Sequence, residues 1–112
     1  MQRLSEYTVA FAVIEYSDGT GSKKRPTVIV RLNDEEITFF KITSQYWDKS
    51  EYIQSRYYKI QDWKNANLDK ESWVDTITPV KVSVDEIRFE ITGHFTKRDI
   101  NGLRYFLQNI QD

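Results

Sequence analysis

The sequence predicts a mainly β domain of the α+β class: a small antiparallel barrel of short strands with an amphipathic helix at its C-terminal end. Three observations support this prediction. The chain has 112 residues, close to the usual size of one domain, so we expect a single domain over residues 1–112. Apolar residues alternate with a period of two through several short segments, which is typical of strands. Near the C-terminal end the apolar spacing changes to three and four, which is typical of a helix.

The first half of the sequence contains three predicted strands, the second and third joined in a hairpin by a polar turn. They are expected at residues 7–16, 27–32 and 36–43. A Gly- and Ser-rich loop at 17–22 and the basic run Lys23-Lys24-Arg25 precede the second strand. Pro26 suits the entry to that strand because proline donates no ladder hydrogen bond.

The second half begins with a loop of functional length at 44–55. Short strands are expected at residues 56–60, 72–77, 79–82 and 87–91. Asp62 is expected to cap a helical turn at 62–67. Thr96 with Asp99 three residues later forms a capping pattern, which opens a helix at 97–111. Its apolar stripe consists of Ile100, Leu103, Phe106, Leu107 and Ile110.

The composition excludes several classes of function. There is no cysteine and one histidine, which excludes disulfides, thiolate chemistry and metal centres that need several histidines, and we expect neither metal nor cofactor. A net charge of −1 excludes a globally basic protein that wraps nucleic acid, although not a local basic patch. No apolar run approaches the roughly 20 residues that cross a bilayer, and the N-terminus has no apolar signal core. We therefore expect a soluble, cytoplasmic protein.

Several motifs occur in an order that points to one family. The segment Gly-Thr-Gly-Ser-Lys-Lys-Arg-Pro-Thr-Val-Ile-Val at 19–30 resembles the Gly/Ser-rich loop, Arg-Pro and β-branched strand of the PemK/MazF-like toxins of bacterial toxin–antitoxin systems. Lys-Ile-Thr-Ser at 41–44 resembles the family's Ile-Thr-Ser motif. Segments at 60–64, 72–76 and 93–100 are similar to the PemK-like branch. The resemblance runs through residues 7–110, and it implies an SH3-like barrel of the PemK/CcdB type.

The resemblance also implies an activity, that of a metal-independent endoribonuclease that cuts single-stranded mRNA. In such a reaction the 2′-hydroxyl attacks the adjacent phosphorus, leaving a cyclic phosphate and a free 5′-hydroxyl. Arg25 is then the residue that stabilises charge on the phosphate, because a guanidinium holds two oxygens at once. Thr43 is assigned to positioning the 2′-hydroxyl or a phosphate oxygen, since its hydroxyl is a poor base.

Further residues are candidates for contact with the RNA. They are Lys23, Lys24, Lys41, Ser44, Tyr46 and Trp47. Antiparallel pairing of the second and third strands brings Arg25 and Thr43 to the same end of the sheet, and Lys41 shares a strand face with Thr43. Asp75 and Thr76 are left out of catalysis.

The family resemblance implies two partners besides single-stranded RNA: a second copy of the chain, since one small domain offers too little surface for several nucleotides, and a cognate antitoxin with an acidic, disordered tail. Two alternatives remain open. One is a non-enzymatic toxin that poisons gyrase, although such proteins end in Trp-Gly-Ile and this chain ends in Asn-Ile-Gln-Asp. The other is a degenerate relative that only binds RNA or a partner.

Overall fold

Residues 4–110, the part of the chain that this computed structural model describes, form one antiparallel sheet of six strands and two helices. In chain order the elements are β1 (Thr8–Glu15), β2 (Ser22–Leu32), β3 (Glu36–Thr43), α1 (Glu51–Ser55), β4 (Tyr57–Lys59), β5 (Trp73–Ser83), β6 (Arg88–His94) and α2 (Lys97–Asn109). The strand order is β4-β5-β3-β2-β1-β6, so the β2–β3 hairpin is central. The α+β, mainly β class is confirmed. No helix in this part of the chain is long and apolar enough to cross a membrane.

The alternation of side chains along the strands places an apolar core on each face of the sheet. Val28 and Phe40 belong to the core on the face that α2 covers, where Leu103 of the helix is fully buried. Their neighbours along the same strands, Ile29 and Phe39, belong to the core on the opposite face. Residues of α2 pack against the first of these cores, and none packs against the second.

A buried carboxylate fastens α2 to the sheet. Asp99, which is 0% exposed, accepts a hydrogen bond from the Tyr58 hydroxyl at 2.7 Å. It also accepts from the backbone N–H groups of Gln61 and Asp62, both at 2.8 Å. The hydroxyl of Thr96 caps the helix by accepting from the Asp99 N–H, as the sequence predicts. One side chain therefore joins the helix, β4 and the turn that follows β4.

The prediction of a closed barrel is wrong, because the sheet stays open between its edge strands β4 and β6. β4 has only three residues, and the turn after it approaches β6 instead. The side-chain amide of Asn67 donates to the Thr92 carbonyl at 2.6 Å. The backbone of Ala66 lies so close to Gly93 that a Cβ there would clash. This turn occupies the place where a closing ladder would lie.

Several strand boundaries also differ from those predicted, most of all those of β2 and β5. β2 begins at Ser22, so Lys24 and Arg25 lie inside the strand and pair with Val13 and Ala12 of β1. The separate strands predicted at 72–77 and 79–82 are one strand, β5, with an irregularity around Pro79. Pairing on both sides of that proline holds the two parts together.

The connections and the helix end differ from the prediction as well. The predicted loop at 44–55 contains α1, which Ser50 caps. Residues 62–67 form turns rather than a helix, and the Asp62 carboxylate accepts from Thr96 and Arg98 rather than from an N–H group of its own segment. The predicted C-terminal helix is confirmed as α2 and ends at Asn109, while the last residue predicted for it, 111, lies outside the described residues.

Candidate functional site

A cleft of about 400 Å³ brings together side chains that are distant in the sequence. It lies where the ladder between β2 and β3 ends, with Thr27 and Lys41 as its last pair. Two residues further along each strand are Arg25 and Thr43, which the continuing register places opposite each other. The residues that line the cleft are Ile14, Arg25, Pro26, Lys41, Ile42, Thr43, Tyr57 and Asp75. We call it the Arg25 cleft.

The two cations of the Arg25 cleft have charge available for a ligand. Arg25 and Lys41 are both exposed, and neither forms an ion pair or a hydrogen bond with any side chain of residues 4–110. A guanidinium and an ammonium on adjacent strands attract an anion, and the guanidinium can hold two oxygens of a phosphate at once. The cleft is thus suited to a phosphate group.

Thr43 is held in place at the last position of β3. Its hydroxyl oxygen accepts from the Gln45 N–H at 3.0 Å, in a turn that ends the strand. That bond uses a lone pair of the oxygen, so the hydroxyl proton can be donated to a ligand. The side chain is half-buried, and Phe40 and Ile42 lie in the core on the α2 face, which confirms that Lys41 and Thr43 share the other face.

Two further residues, Asp75 and Tyr57, line the cleft, although the sequence assigned neither of them to the site. Asp75 pairs in register with Lys41 on one side and with Tyr57 on the other, and one of its oxygens accepts from the Ile77 N–H at 3.0 Å. Burial, with repulsion from the charges of Asp75 and Asp48, raises the pKa of the Tyr57 phenol. The phenol therefore stays protonated and can donate a hydrogen bond. The pairing of β5 with β3 and β4 places Asp75 and Tyr57 in the cleft. That register could not be predicted from the sequence, because it shifts around Pro79.

Lys24 and Lys23 lie outside the Arg25 cleft. Lys24 points to the opposite face from Arg25 and forms an ion pair with Glu90 at 2.7 Å. The hydrogen bond from Lys24, together with one from Arg88, holds the pKa of the Glu90 carboxyl below its usual value. Lys23 is exposed and shares the face of Arg25, nearer the loop between β1 and β2.

An aromatic cluster lies beside the cleft. Tyr46 stacks on the buried Trp73 with ring centroids 4.6 Å apart and planes 7° from parallel. Trp47 meets the Tyr46 ring edge-on at 5.0 Å and is 78% exposed. Tyr57, a wall of the cleft, lies 6.4 Å from Tyr46. An exposed aromatic ring of this kind can stack on a nucleobase. Ser44 follows Thr43 and faces an adjoining cavity.

Other titratable side chains lie apart from the cleft. The ring nitrogens of His94 lie 2.7 Å and 3.0 Å from the backbone carbonyls of Phe95 and Glu6, so this side chain ties β6 to the segment before β1. Among residues 4–110, no group of three His, Asp or Glu side chains is placed to hold a metal ion.

Comparison of the chain with protein-family models and with curated proteins gives no match to either.

Proposed function

We propose that the protein is a toxin of the PemK/MazF-like type, a metal-independent endoribonuclease that cuts single-stranded mRNA. The observation that supports this most is the Arg25 cleft, where Arg25, Lys41 and Thr43 converge although they come from different strands. Neither cation is neutralised by an ion pair within residues 4–110. That combination of charge and hydroxyl suits a phosphodiester.

The reaction transfers the phosphoryl group from the 5′-oxygen of one nucleotide to the 2′-oxygen of the preceding ribose. The 2′-hydroxyl attacks phosphorus, the bond from phosphorus to the 5′-oxygen breaks, and a 2′,3′-cyclic phosphate and a 5′-hydroxyl result. Arg25 holds two non-bridging oxygens and Lys41 adds charge where the transition state gains it. Thr43 aligns the 2′-oxygen by a hydrogen bond.

The proton balance of this step involves Asp75 and solvent. Asp75 lines the same cleft and has a carboxylate oxygen besides the one that binds the Ile77 N–H, so it accepts the proton of the 2′-hydroxyl. The leaving 5′-oxygen takes a proton from water at the exposed side of the cleft. Tyr57 remains protonated and donates a hydrogen bond to the phosphate. Catalysis then combines positioning, electrostatic stabilisation and general-base assistance by Asp75.

The surroundings of the cleft fit RNA that is single-stranded. Trp47, at 78% exposure, offers a stacking surface to a splayed base, and stacking is tolerant of sequence. Lys23 lies two residues before Arg25, and Ser44 directly follows Thr43. In this proposal both contact the nucleotides next to the one that is cut. Lys24 can contact a phosphate of the RNA backbone only after its ion pair with Glu90 breaks.

The fold and the partners complete the proposal. We assign the sheet to the SH3-like, PemK/CcdB-like class in an open form. A cleft of about 400 Å³ holds little more than one nucleotide unit, so two copies of the chain pair to form a longer groove. A cognate antitoxin with an acidic tail occupies this groove, and the protein acts in the cytoplasm on mRNA.

Incubation of a long single-stranded RNA with the purified protein and EDTA, followed by primer extension, tests the function. We expect cuts at a short consensus, with 2′,3′-cyclic phosphate and 5′-hydroxyl ends identified by mass spectrometry, and no cuts in DNA of the same sequence. Bound but intact RNA would favour the degenerate relative instead. Intact, unbound RNA together with gyrase–DNA adducts in a parallel assay would favour the gyrase poison.

A further inference from the structure

Strand β6 forms one edge of the sheet, and part of its outer side is open. Among the strands of residues 4–110 it pairs with β1 alone. The turn that follows β4 covers the C-terminal end of β6, where Asn67 binds the Thr92 carbonyl. The segment before that contact, Ile-Arg-Phe-Glu-Ile at 87–91, has no strand on its outer side. We call this segment the β6 edge.

Two hydrogen bonds show which backbone groups of β1 face β6. The Ala10 carbonyl accepts from the Thr27 hydroxyl of β2 at 2.8 Å. The Val9 carbonyl accepts from the Thr92 hydroxyl of β6 at 3.2 Å. Backbone N–H and C=O groups alternate between the two sides of a strand. Every second residue of β1 after Val9 therefore directs its backbone groups toward β6.

The same alternation identifies the groups that β6 leaves unpaired. The next two residues of β1 that face β6 pair with Glu90 and Arg88, so these two residues form the ladder with β1. The N–H and C=O groups of Phe89 and Ile91 consequently point away from β1. No turn, loop or side chain of residues 4–110 binds them. An edge of this kind is a template for a further strand.

The sequence of the β6 edge is complementary to itself. Read in either direction from Phe89, a charged residue comes next and an isoleucine follows, Ile87 at one end and Ile91 at the other. The charge is positive on one side of the centre, at Arg88, and negative on the other, at Glu90. If a second copy pairs antiparallel with Phe89 opposite Phe89, each Arg88 lies opposite a Glu90 of the other copy.

Charge selects this register over its neighbours. A slip of two residues in either direction keeps the unpaired backbone groups facing each other, but it places Arg88 opposite Arg88 or Glu90 opposite Glu90. Like charges directly opposite each other destabilise a sheet, whereas opposite charges stabilise it. In the selected register the charged residues occupy positions without backbone hydrogen bonds between them, where side chains are closest. The Arg88 side chain is 64% exposed, so it can reach across.

The other face of the β6 edge is apolar. Ile87 and Phe89 are partly buried against the core on the face away from α2, where the Phe89 ring meets the Phe39 ring edge-on at 5.6 Å. In the paired copies Phe89 lies opposite Phe89, and Ile87 lies opposite Ile91. The apolar row of one copy thus continues into that of the other, and contacts between these side chains add to the backbone hydrogen bonds.

We propose that the β6 edge pairs antiparallel with the β6 edge of a second copy, which joins two six-stranded sheets into one. The order of charges about Phe89 selects this occupant, because a strand fits only if it presents the same order. Since the contact is short, at the low end of interface sizes, we expect a reversible dimer that forms at micromolar concentration. The inference goes beyond the proposed function, which calls for two copies without placing the contact between them.

This pairing puts both Arg25 clefts on one face of the joined sheet. Arg25 pairs with Ala12, and Ala12 pairs with Phe89, so the three residues lie side by side across the strands. Neighbouring strands are about 4.8 Å apart, and five such steps separate Arg25 of one copy from Arg25 of the other, a distance of about 24 Å. The two clefts then belong to one continuous surface.

Sedimentation velocity of the full chain at a series of concentrations tests the pairing. The wild type should change from monomer to dimer as the concentration rises. Arg88→Glu places a carboxylate opposite Glu90, and Glu90→Arg places a guanidinium opposite Arg88. Each variant alone should therefore raise the dissociation constant at least about ten-fold, because two attractive pairs become repulsive. Arg31→Glu reverses an exposed charge of β2 and should leave the dissociation constant unchanged.

An equimolar mixture of Arg88→Glu and Glu90→Arg separates lost pairing from lost folding. In the mixed dimer both cross-strand pairs again join opposite charges, so dimers should return at the concentration at which the wild type forms them. Variants that had merely failed to fold would not recover on mixing. A mixture that stays monomeric overturns the proposal.

Amide signals in ¹H–¹⁵N NMR spectra locate the contact. As the concentration of the wild type rises, the N–H signals of Phe89 and Ile91 should shift and their exchange with solvent should slow. The N–H groups of Arg88 and Glu90, which already bond to β1, should exchange slowly at every concentration. Changes confined to α2 instead would overturn the proposal.

The outcomes separate this proposal from the proposed function. A wild type that cleaves RNA and stays monomeric refutes the pairing and leaves the ribonuclease standing. A dimer that both charge reversals weaken, in a protein that cleaves no RNA, refutes the ribonuclease and supports the pairing. A dimer that neither reversal weakens refutes the pairing whether or not RNA is cut.

Discussion

Replacing Asp99 by alanine should cost more stability than any other single carboxylate removal in the described chain. The side chain is 0% exposed and binds the Tyr58 hydroxyl and the N–H groups of Gln61 and Asp62, at 2.7, 2.8 and 2.8 Å. Asp99→Ala leaves all three donors without their acceptor at the junction of α2 with β4.

The magnitude follows from the number of donors that lose their partner. Each buried polar group left unsatisfied costs about 1–3 kcal/mol, but the two N–H groups are only partly buried and regain some water. We expect a loss of about 3–5 kcal/mol in the free energy of unfolding, a large share of the roughly 5–15 kcal/mol typical of a domain. Asp99→Asn keeps one acceptor oxygen and should lose about half as much stability. Its NH₂ group takes the place of the other oxygen, where it meets a hydrogen-bond donor and cannot accept from it.

Urea unfolding followed by circular dichroism measures these differences. Asp85→Ala, an exposed carboxylate in the turn before β6, is the control and should change stability by less than about 0.5 kcal/mol. If Asp99→Ala proves as stable as this control, the buried carboxylate does not fasten α2 to the sheet and the reasoning fails.

Three more predictions follow from individual contacts. Gly102→Ala should destabilise the protein by about 2–3 kcal/mol in urea unfolding, although alanine favours helices, because the new methyl group meets the Tyr58 hydroxyl and displaces it. Hydrogen bonds from Arg98 and then from Thr96 hold the pKa of the Asp62 carboxyl below its ordinary 3.8. The stability that this carboxylate contributes is therefore complete above pH 3.8 and is lost as the pH falls through the folded-state pKa. Arg98→Gln should make this loss of stability at acid pH smaller when the free energy of unfolding is measured against pH. Trp47→Ala should weaken binding of single-stranded RNA about ten-fold in fluorescence anisotropy with stability unchanged, since the ring is 78% exposed.

Each of these predictions has a result that contradicts it. A Gly102→Ala protein more stable than the wild type would mean that Tyr58 moves aside without cost. An acid limb that persists unchanged in Arg98→Gln would assign the loss of stability to other carboxylates. Equal RNA affinity of Trp47→Ala and the wild type would remove the aromatic cluster from the interface.

The central hairpin and α2 could be predicted because their signals are local. A period of two marks β2 and β3, and the polar residues between them leave one way for the two strands to pair. The cap at Thr96 and Asp99 and the apolar stripe that follows define a helix without reference to the rest of the chain. This local information was also enough to expect Arg25 and Thr43 at one end of the sheet.

The sequence could not show how distant segments meet. Closure of the barrel depends on whether β4 and β6 pair, and that is decided by the turn whose Asn67 binds Thr92. The place of Asp75 in the cleft depends on the register between β3 and β5, which shifts around Pro79. Lys24 was expected to contact RNA with its neighbours, but the alternation of β2 turns it toward Glu90.

The rate of RNA cleavage in a single turnover, compared between the wild type and Arg25→Ala, tests the central claim most directly. Removing the guanidinium from a phosphate site should slow cleavage by about a hundred- to a thousand-fold, with the urea-unfolding free energy unchanged because Arg25 is exposed. Arg31→Ala removes an exposed arginine from the same strand outside the cleft and should cleave at the wild-type rate. Equal rates for all three proteins would contradict the assignment of the Arg25 cleft as the site of cleavage.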